Sequence, residues 1–404
     1  LIMKILLVTQ WFEPEPTFKG LLFAKSLRDA GHEVEVLTGF PNYPGGLVYD
    51  GYKLSFYQRE VMDGIVVHRA PLFPSHDFSG IKRALNYLSF ALSSFIVGLL
   101  KTRKLDVIYG YHPPLTTPLS CLMLSALKRV PLVVDVQDLW PDTLSATGMI
   151  KNKMVLSLVN VLCNLVYRKA AKVVVLSPGF RYRLVSRGVP EEKIVVIYNW
   201  CNEPAIEKPV ASEVRLPQNG KISILFAGNL GTAQGLPSII SAAEHLKNMN
   251  VPANIVFLGD GVAKQKAIES ASSKELENVF FLPRVPMSQV GGILSSADVL
   301  LVHLNHDELF RITIPSRTQA SLAVGKPIIM AVSGDAANLV KKSGAGIICE
   351  PNCPESLANS VKKMVLMSGK ERDELSKKAK LFYYENLSLE KGVQQFVEVF
   401  EEVT

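Results

Sequence analysis

Runs of apolar residues alternate with stretches of helical periodicity along most of the chain. Residues 3–9 form one such run, followed by a polar loop and a helical pattern over residues 21–27. The same arrangement begins again at residues 222–228. Uninterrupted apolar runs between helices are typical of parallel strands covered on both faces. Two such beginnings predict an α/β protein with two doubly wound Rossmann-like domains facing across a deep cleft.

The pattern also predicts where the two domains divide. A length of 404 residues is sufficient for two hydrophobic cores. We expect an N-terminal domain over 1–200, a second domain over 201–384, and a C-terminal helix over 385–404 that crosses back to the first. The predicted strands are residues 3–9, 32–38, 65–68, 105–109, 131–135, 172–176 and 194–197, then 222–228, 254–258, 279–282, 297–302, 326–330 and 346–349.

Positive charge is concentrated in the first half. The net charge is +7; residues 1–200 carry 23 Lys/Arg against 15 Asp/Glu, whereas residues 201–404 carry 21 against 22. Such a surplus suits an anionic partner, either membrane lipid or a phosphate-bearing substrate, although a basic surface without a ligand gives the same count. No aromatic-basic module typical of nucleic-acid binding is found, so we expect no nucleic-acid partner.

Cysteine usage and the acidic residues argue against a metal centre. The five cysteines have no zinc-ligand spacing, and Cys349 and Cys353 are the only close pair. No Asp-x-Asp motif is present. We therefore expect no metal and no cofactor. Because no signal-peptide pattern precedes Met3, we expect a cytoplasmic protein.

Residues 81–100 are unusually apolar and are flanked by basic residues. The uninterrupted apolar and small stretch, 87–100, is 14 residues long, and spanning a bilayer takes about 20. This segment is either a helix buried on the first sheet or an interfacial helix at the inner face of the cell membrane. The second alternative predicts peripheral attachment to an anionic membrane surface through Lys82, Arg83, Lys101, Arg103 and Lys104.

Several short motifs in order resemble those of the retaining glycosyltransferases of family 4, which have the GT-B fold. They are Arg-Gly-Val-Pro at 187–190, Phe-Ala-Gly-Asn-Leu-Gly at 226–231, Gly-Asp-Gly at 259–261 and Ala-Val-Gly-Lys-Pro at 323–327. The resemblance covers nearly the whole chain. It implies transfer of a sugar from a UDP-sugar with retention of configuration, the leaving phosphate acting as base without a protein nucleophile.

Three further motifs resemble a narrower branch of this family. Asp-Leu-Trp-Pro at 138–141, Asn-Trp at 199–200 and Ile-Pro-Ser-Arg-Thr-Gln-Ala at 314–320 are similar to motifs of enzymes that build bacterial surface polysaccharides, namely the WbuB-type N-acetyl-L-fucosamine transferases. The implied acceptor is a polyprenyl-diphosphate-linked saccharide in O-antigen or capsule biosynthesis.

The chain departs from the family pattern at charged positions. An Arg and a Lys that the family places in the glycine loop are replaced by Asn229 and Gln234. Two family glutamates would fall at Ile312 and Ala320, so both are missing. Since a diphosphate still needs positive charge, we expect it from arginines, whose planar fork bonds two phosphate oxygens. The alternative is that these are surface arginines without a donor role. The expected donor-binding residues are Gly228, Asn229, Gly231, Gln234, Gly259, Arg284, Val285, Arg311, Ser316, Arg317 and Thr318.

In the first domain the candidates lie where strands end. The resemblance implies that His112 bonds a donor-sugar hydroxyl, with Tyr111 as the alternative one residue away. Asp138 either orients the acceptor hydroxyl or caps the following helix, and Glu15 either contacts the acceptor or orders its loop. These three, His112, Asp138 and Glu15, are the catalytic candidates. The acceptor-binding candidates are Lys19, Tyr111 and Trp140.

Two other classes of function remain compatible with the pattern. A nucleotide-sugar epimerase has the same double-Rossmann shape and would release a free product. A non-catalytic sugar-nucleotide sensor would account for the missing glutamates. A product assay with and without a lipid acceptor separates these possibilities from glycosyl transfer.

Overall fold

The computed structural model describes residues 2–75 and 80–404. It divides into two compact units, one formed by Leu1–Ile197 together with Val393–Thr404 and the other by Tyr198–Gly392. Each unit has a parallel sheet with helices between its strands, so the predicted pair of Rossmann-like α/β domains is confirmed.

The first unit has an eight-stranded sheet of order β3-β4-β2-β1-β5-β6-β7-β8. Every pair in it is parallel except β3 with β4. The central strands are almost completely buried, as uninterrupted apolar runs require. The strands are β1 (Lys4–Val8), β2 (Glu33–Gly39), β3 (Gln58–Met62), β4 (Ile65–Ala70), β5 (Val107–His112), β6 (Leu132–Val136), β7 (Lys172–Val175) and β8 (Ile194–Val196).

Helices cover both faces of this sheet. They are α1 (Leu21–Asp29), α2 (Gly80–Lys101), α3 (Thr116–Lys128), α4 (Asp142–Ala146), α5 (Lys153–Lys169) and α6 (Pro178–Ser186), with α16 (Leu389–Val403) at the end of the chain. The connections through α2, α3 and α5 all advance across the sheet in one direction, and α1 goes the other way. Because such crossovers are right-handed, α2, α3 and α5 share one face and α1 covers the opposite one.

The strand predictions for the first unit were wrong in two places. The edge strand β3 was not predicted, because its sequence, Gln-Arg-Glu-Val-Met, is largely polar and half-exposed and lacks an apolar run. Residues 110–112 were expected in the loop after the fourth predicted strand. They instead complete β5, where Tyr111 and His112 pair with Asp135 and Val136.

The second unit has a six-stranded parallel sheet of order β11-β10-β9-β12-β13-β14. All six predicted strands are present with small shifts of their ends: β9 (Ile222–Ala227), β10 (Ala253–Leu258), β11 (Val279–Leu282), β12 (Val299–His303), β13 (Ile328–Ala331) and β14 (Gly346–Ile348). The helices are α7 (Glu203–Glu207), α8 (Leu236–Asn248), α9 (Lys264–Ser273), α10 (Met287–Ser296), α11 (Glu308–Ile312), α12 (Ser316–Val324), α13 (Asp335–Ser343), α14 (Pro354–Leu366) and α15 (Gly369–Asn386).

The buried Tyr383 links α15 by hydrogen bonds to the first segment of the second unit. The Tyr383 hydroxyl donates to Glu203 Oε1 at 2.8 Å and accepts from the Cys201 backbone N–H at 3.0 Å. Tyr383 has no exposed surface. The neighbouring Tyr384 makes a similar bond to Glu207 at 2.7 Å, but at the protein surface. The two tyrosines therefore form a matched pair that differs mainly in burial.

We expect Tyr383→Phe to lower the free energy of unfolding by about 1–3 kcal/mol, because it leaves the buried Cys201 N–H without its partner and removes one of the two donors to Glu203 Oε1. Tyr384→Phe should cost less than about 1 kcal/mol, since water replaces an exposed hydroxyl. Thermal unfolding of both variants measures the difference. Equal losses of stability would contradict the role assigned to burial.

Candidate functional site

The site in the second unit begins with a close approach of two backbones at the ends of β9 and β10. A Cβ atom on Gly259 would lie 2.0 Å from the Gly228 carbonyl oxygen, so only glycine fits there. Gly228 itself has φ of 137°. Gly228 and Asn229 are exposed to solvent, and a ligand can therefore approach the backbone of this loop.

Arg317 lies beside this loop, in the first turn of α12. Its Cζ is 4.4 Å from the centroid of the Phe226 ring, and its side chain packs against Gly228. Nη1 is buried without a hydrogen-bond partner. Burial lowers the pKa of the Arg317 guanidinium to about 10, which leaves it charged at neutral pH.

The charge of Arg317 is not balanced locally. The first turn of α12 contains no acidic residue, and Pro315 provides no side-chain cap. A helix N-terminus carries partial positive charge, so a cation there adds to the existing potential. A desolvated cation with an unused donor, a helix N-terminus and an accessible glycine loop together favour an anionic ligand.

The other end of the glycine loop is held by His303, the last residue of β12. His303 Nδ1 donates to the Gln234 carbonyl at 2.8 Å, and its Nε2 is buried without a partner. Gly235 has φ of 65°, and a Cβ there would lie 2.5 Å from His303 Cε1. Burial, together with the nearby Arg317 charge, lowers the pKa of His303 to about 4. The imidazole is therefore neutral at physiological pH, with Nε2 able to accept a hydrogen bond.

Other predicted donor residues have different surroundings. The Gln234 side chain accepts from the Gly231 N–H at 3.0 Å, so this pair shapes the loop itself. Arg284 is exposed after β11, and Val285 packs against an apolar cluster beneath the sheet. Arg311 is exposed on α11 and pairs with Glu308 at 3.4 Å. Of the three candidate arginines, Arg317 contacts the glycine loop.

The remaining two predicted donor residues flank Arg317 on α12. Ser316 is exposed at the first position of the helix. Thr318 is fully buried, and its hydroxyl has no hydrogen-bond partner. Of these two residues, only Ser316 is therefore accessible to a ligand in this structure.

In the first unit the structure brings three candidates together at the ends of β5 and β6. The rings of His112 and Trp140 are 5.5 Å apart, and Trp140 Nε1 donates to Asp138 at 3.3 Å. His112 is fully buried; its Nδ1 bonds the Tyr167 hydroxyl at 3.2 Å and its Nε2 has no partner. Burial lowers the pKa of His112 to about 3, so this imidazole is also neutral.

Tyr111 and His112 lie on opposite faces of the sheet. Adjacent residues of β5 project to opposite faces of the sheet. His112 meets α5 through Tyr167, whereas Tyr111 lies on the other face, where burial and the charges of Asp135 and Asp138 raise the pKa of its hydroxyl. His112, rather than Tyr111, therefore belongs to the cluster with Trp140.

Both loop carboxylates have structural partners. Glu15 is almost fully buried and accepts the backbone N–H groups of Asn42 and Tyr43, at 2.7 and 2.8 Å, so it orders its loop. Asp138 accepts the Thr143 hydroxyl at 2.5 Å in the first turn of α4, and burial raises the pKa of its carboxyl. This geometry matches the loop-ordering alternative for Glu15 and ties Asp138 to the following helix.

Lys19 does not lie where acceptor binding was expected. Its side chain is completely buried, 2.5 Å from Asp135, and stands 4.6 Å from the Phe396 ring centroid. Tyr109 donates to the same carboxylate oxygen at 2.5 Å. Sequence cannot distinguish a loop lysine that faces solvent from one that folds inward onto a strand carboxylate. We assign Lys19 to the core of the first unit.

Across residues 2–75 and 80–404, no group of three or more His, Cys, Asp or Glu side chains is placed to hold a metal ion. Positive charge at the site comes from Arg317 and helix termini. The fold and this loop define the class of the protein: two doubly wound α/β domains of the kind that bind nucleotides at the carboxyl ends of strands.

Comparison with known families gives the identity. Residues 21–200 match the family described as "Glycosyl transferase 4-like domain", and residues 208–382 match "Glycosyl transferases group 1". Together the two matches account for most of the chain. The chain belongs to the family 4 glycosyltransferases. The epimerase and sensor interpretations receive no support from these matches.

Two bacterial relatives match over most of the chain or about two thirds of it. The chain is 28% identical to the "Putative colanic acid biosynthesis glycosyl transferase WcaI" of Escherichia coli (strain K12), over 90% of this chain and 93% of the relative. It is also 28% identical to the "Probable glycosyltransferase WbjE" of Pseudomonas aeruginosa, over 65% and 66% of the two chains.

Solved structures share the fold at low sequence identity. A glycosyltransferase from Rickettsia africae superimposes with a TM-score of 0.70 at 16% identity, covering 100% of this chain and 98% of that one. The Anabaena protein HepE, solved in complex with UDP and glucose, gives 0.66 at 16% identity and 99% coverage of both chains. These matches identify the GT-B fold.

The two buried histidines predict a pH dependence of stability. In the folded chain the pKa values of His112 and His303 lie at about 3 and 4, below the ordinary value of 6.5. Because the folded state disfavours protonation, their contribution is fully present above pH 6.5 and is lost as pH falls through the folded values. As pH falls from 6.5 toward the folded pKa values, each histidine should lower the free energy of unfolding by about 1.4 kcal/mol per pH unit.

Urea unfolding of the wild type and of His303→Gln between pH 7 and 5 measures this effect. The variant should lose less stability than the wild type over that interval, since one of the two titrating groups is gone. Identical slopes would show that His303 has the same pKa in the folded and unfolded chain, which would contradict the effect assigned to its burial.

Proposed function

We propose that this glycosyltransferase moves a sugar from a UDP-sugar to a polyprenyl-diphosphate-linked saccharide, with retention of configuration, in the assembly of a bacterial surface polysaccharide. N-acetyl-L-fucosamine is our candidate for the donor sugar, on the basis of the motifs at 138–141 and 314–320. The proposal places the reaction at the cytoplasmic side of the membrane, where a UDP-sugar donor is available.

One observation carries the donor assignment: the half-buried Arg317 has a buried Nη1 donor without a hydrogen-bond partner against the glycine loop. Burying a charge without a counter-charge is unfavourable unless a ligand supplies it. A diphosphate at this loop would accept from the guanidinium and from α12, replacing the charge that the family usually places at positions 229 and 234.

The same residues suit the chemistry of sugar transfer. Negative charge grows on the diphosphate as the bond to the anomeric carbon breaks, and a fixed cation stabilises that charge without reorganising. Neutral His303, whose Nε2 is free to accept, would orient a donor hydroxyl near the loop. In the first unit, His112 is likewise neutral, so it carries no charge that would attract the phosphates.

The relatives support the substrate classes. The Escherichia coli relative is named for colanic acid biosynthesis. A Salmonella typhimurium relative, 21% identical over 56% of this chain, is named a lipopolysaccharide 1,2-N-acetylglucosaminetransferase. The Anabaena protein of the same fold binds UDP and UDP-glucose.

A thermal-shift panel of nucleoside diphosphates and UDP-sugars tests the proposal, because a ligand that binds the folded state raises the unfolding temperature by mass action. UDP-sugars should give larger shifts than GDP- or ADP-sugars. Transfer to a lipid-linked acceptor, with the anomeric configuration of the product determined by NMR, then separates a retaining transferase from an epimerase or a sensor.

Arg317→Gln should weaken UDP binding by roughly 10- to 150-fold, because it removes a charge-assisted bond worth about 1.5–3 kcal/mol to the diphosphate. Isothermal titration calorimetry measures the affinity. Lys377→Gln is the matched control: it removes one exposed cation of the same unit, which pairs with Glu374 on α15. Unchanged UDP affinity in Arg317→Gln would remove this residue from the donor site.

Chelation provides a separate prediction. EDTA should leave the transfer rate unchanged, since Arg317 and the helix termini provide the positive charge that a bound divalent cation would otherwise supply. The measurement compares initial rates in EDTA with rates in added Mg²⁺ or Mn²⁺. Activity that disappears on chelation and returns with a divalent cation would contradict the proposed charge balance.

A further inference from the structure

Helix α2 exposes an apolar stripe to solvent, and its buried side combines polar residues with Phe90 and Val97. Inside, Asn86 bonds the Gln10 side chain and the Phe73 carbonyl, and Ser94 bonds Ser120. Outside, Leu88 and Leu92 are 60% and 62% exposed. The exposed positions continue at helical spacing through Ile81, Leu85, Ile96 and Leu99. A helix that covers a sheet normally turns a polar side to solvent, whereas the solvent side of α2 is apolar.

Helix α5 has the same arrangement, which its sequence did not lead us to expect. Met154 and Leu158 are 82% and 59% exposed, and Val161 and Leu165 continue the stripe at helical spacing. The opposite side of the helix, with Cys163, Val166 and Tyr167, is buried against the unit. Two helices of one domain therefore expose long apolar stripes.

The two stripes belong to one surface. Right-handed crossovers place α2, α3 and α5 on the same face of the first sheet, and α3 contacts both of the others. Helix α3 adds the exposed Met123 and Leu127, one helical turn apart. We call the exposed apolar side chains of these three helices the three-helix apolar face. Contiguous exposed apolar surface of this extent marks an interaction site.

Charge indicates what covers this face. Helices α2, α3 and α5 contain no Asp or Glu. Basic residues occur instead toward their ends: Lys82, Arg83 and Lys101 on α2, Lys128 on α3, and Lys153, Arg168 and Lys169 on α5. An apolar centre with a cationic edge complements an anionic lipid surface, where each cation contributes about 1 kcal/mol.

We propose that the three-helix apolar face docks on an anionic membrane surface, with α2, α3 and α5 lying in the interface together. A second copy of the chain would bring two cationic edges against each other, which opposes self-association.

Helix α2 lies on the membrane surface in this proposal rather than across the bilayer. Within the described parts of the chain it is the one helix long and apolar enough to span, by length and composition. However, Phe90 and Val97 pack into the unit and Asn86 bonds its loops. Spanning would require these contacts to break.

The test is co-sedimentation of the full chain with vesicles of equal parts phosphatidylglycerol and phosphatidylcholine, compared with pure phosphatidylcholine. Met154→Gln with Leu158→Gln removes apolar area from α5, and Leu88→Gln with Leu92→Gln does so on α2. The matched control, Leu366→Gln with Leu381→Gln, changes two comparably exposed leucines of the second unit. Each pair on the face should lower the partition coefficient at least about tenfold, and the control should not.

The outcomes distinguish the possibilities. Binding that requires anionic lipid, falls with added salt and is weakened by both pairs supports the proposal. Loss with the α2 pair alone would overturn the shared face, and binding to neither kind of vesicle would overturn membrane docking. A dimer in solution that either pair dissociates would identify a protein interface and also overturn it.

Two parallel measurements make the result interpretable. Thermal unfolding of each variant establishes that it folds, which exposed substitutions should leave nearly unchanged. UDP affinity, measured on the same samples, reports on the donor site in the other unit. Vesicle binding can therefore fail while UDP binding persists, or the reverse, so that this proposal and the proposed function are tested separately.

Discussion

A parallel sheet can form only if every connection between its strands returns across one of its faces. That constraint places all the strand ends of one direction at one edge, and the loops that follow them converge there. In the second unit the loops after β9 and β10 and the end of β12 bring Gly228, Gly259 and His303 together. The same constraint places three consecutive crossover helices on one face of the first sheet, where they form a single surface.

Apolar runs predicted the architecture well because a strand buried on both faces leaves a strong pattern. Thirteen predicted strands are present, whereas the half-exposed edge strand β3 was missed because its polar composition resembles a loop. The end of β5 was placed too early, since Tyr111 and His112 precede two prolines and resemble the start of a loop. Strand interiors are therefore more predictable than strand ends.

The candidate site was predictable where charge had to balance and less so where polar residues had two possible surroundings. Arg317 was nominated because a diphosphate needs a cation, and it does contact the glycine loop. Lys19 and Glu15 were nominated because they are polar and follow a strand. In the structure Lys19 pairs with a buried carboxylate, and Glu15 accepts hydrogen bonds from backbone N–H groups. His303 was not among the sequence candidates; its place at the end of β12 was the available signal.

The last helix has a consequence for how the chain acquires its structure during synthesis. Residues Val393–Thr404 belong to the first unit, where Phe396 packs 5.1 Å from Phe23 and 5.8 Å from Tyr109. At about 5–20 residues per second, the ribosome needs roughly 10–40 s to make the intervening second unit. During that interval Phe23 and Tyr109 lack the ring contacts that Phe396 supplies in the finished chain. We therefore expect the first unit to reach its full stability only after the last helix has been synthesised.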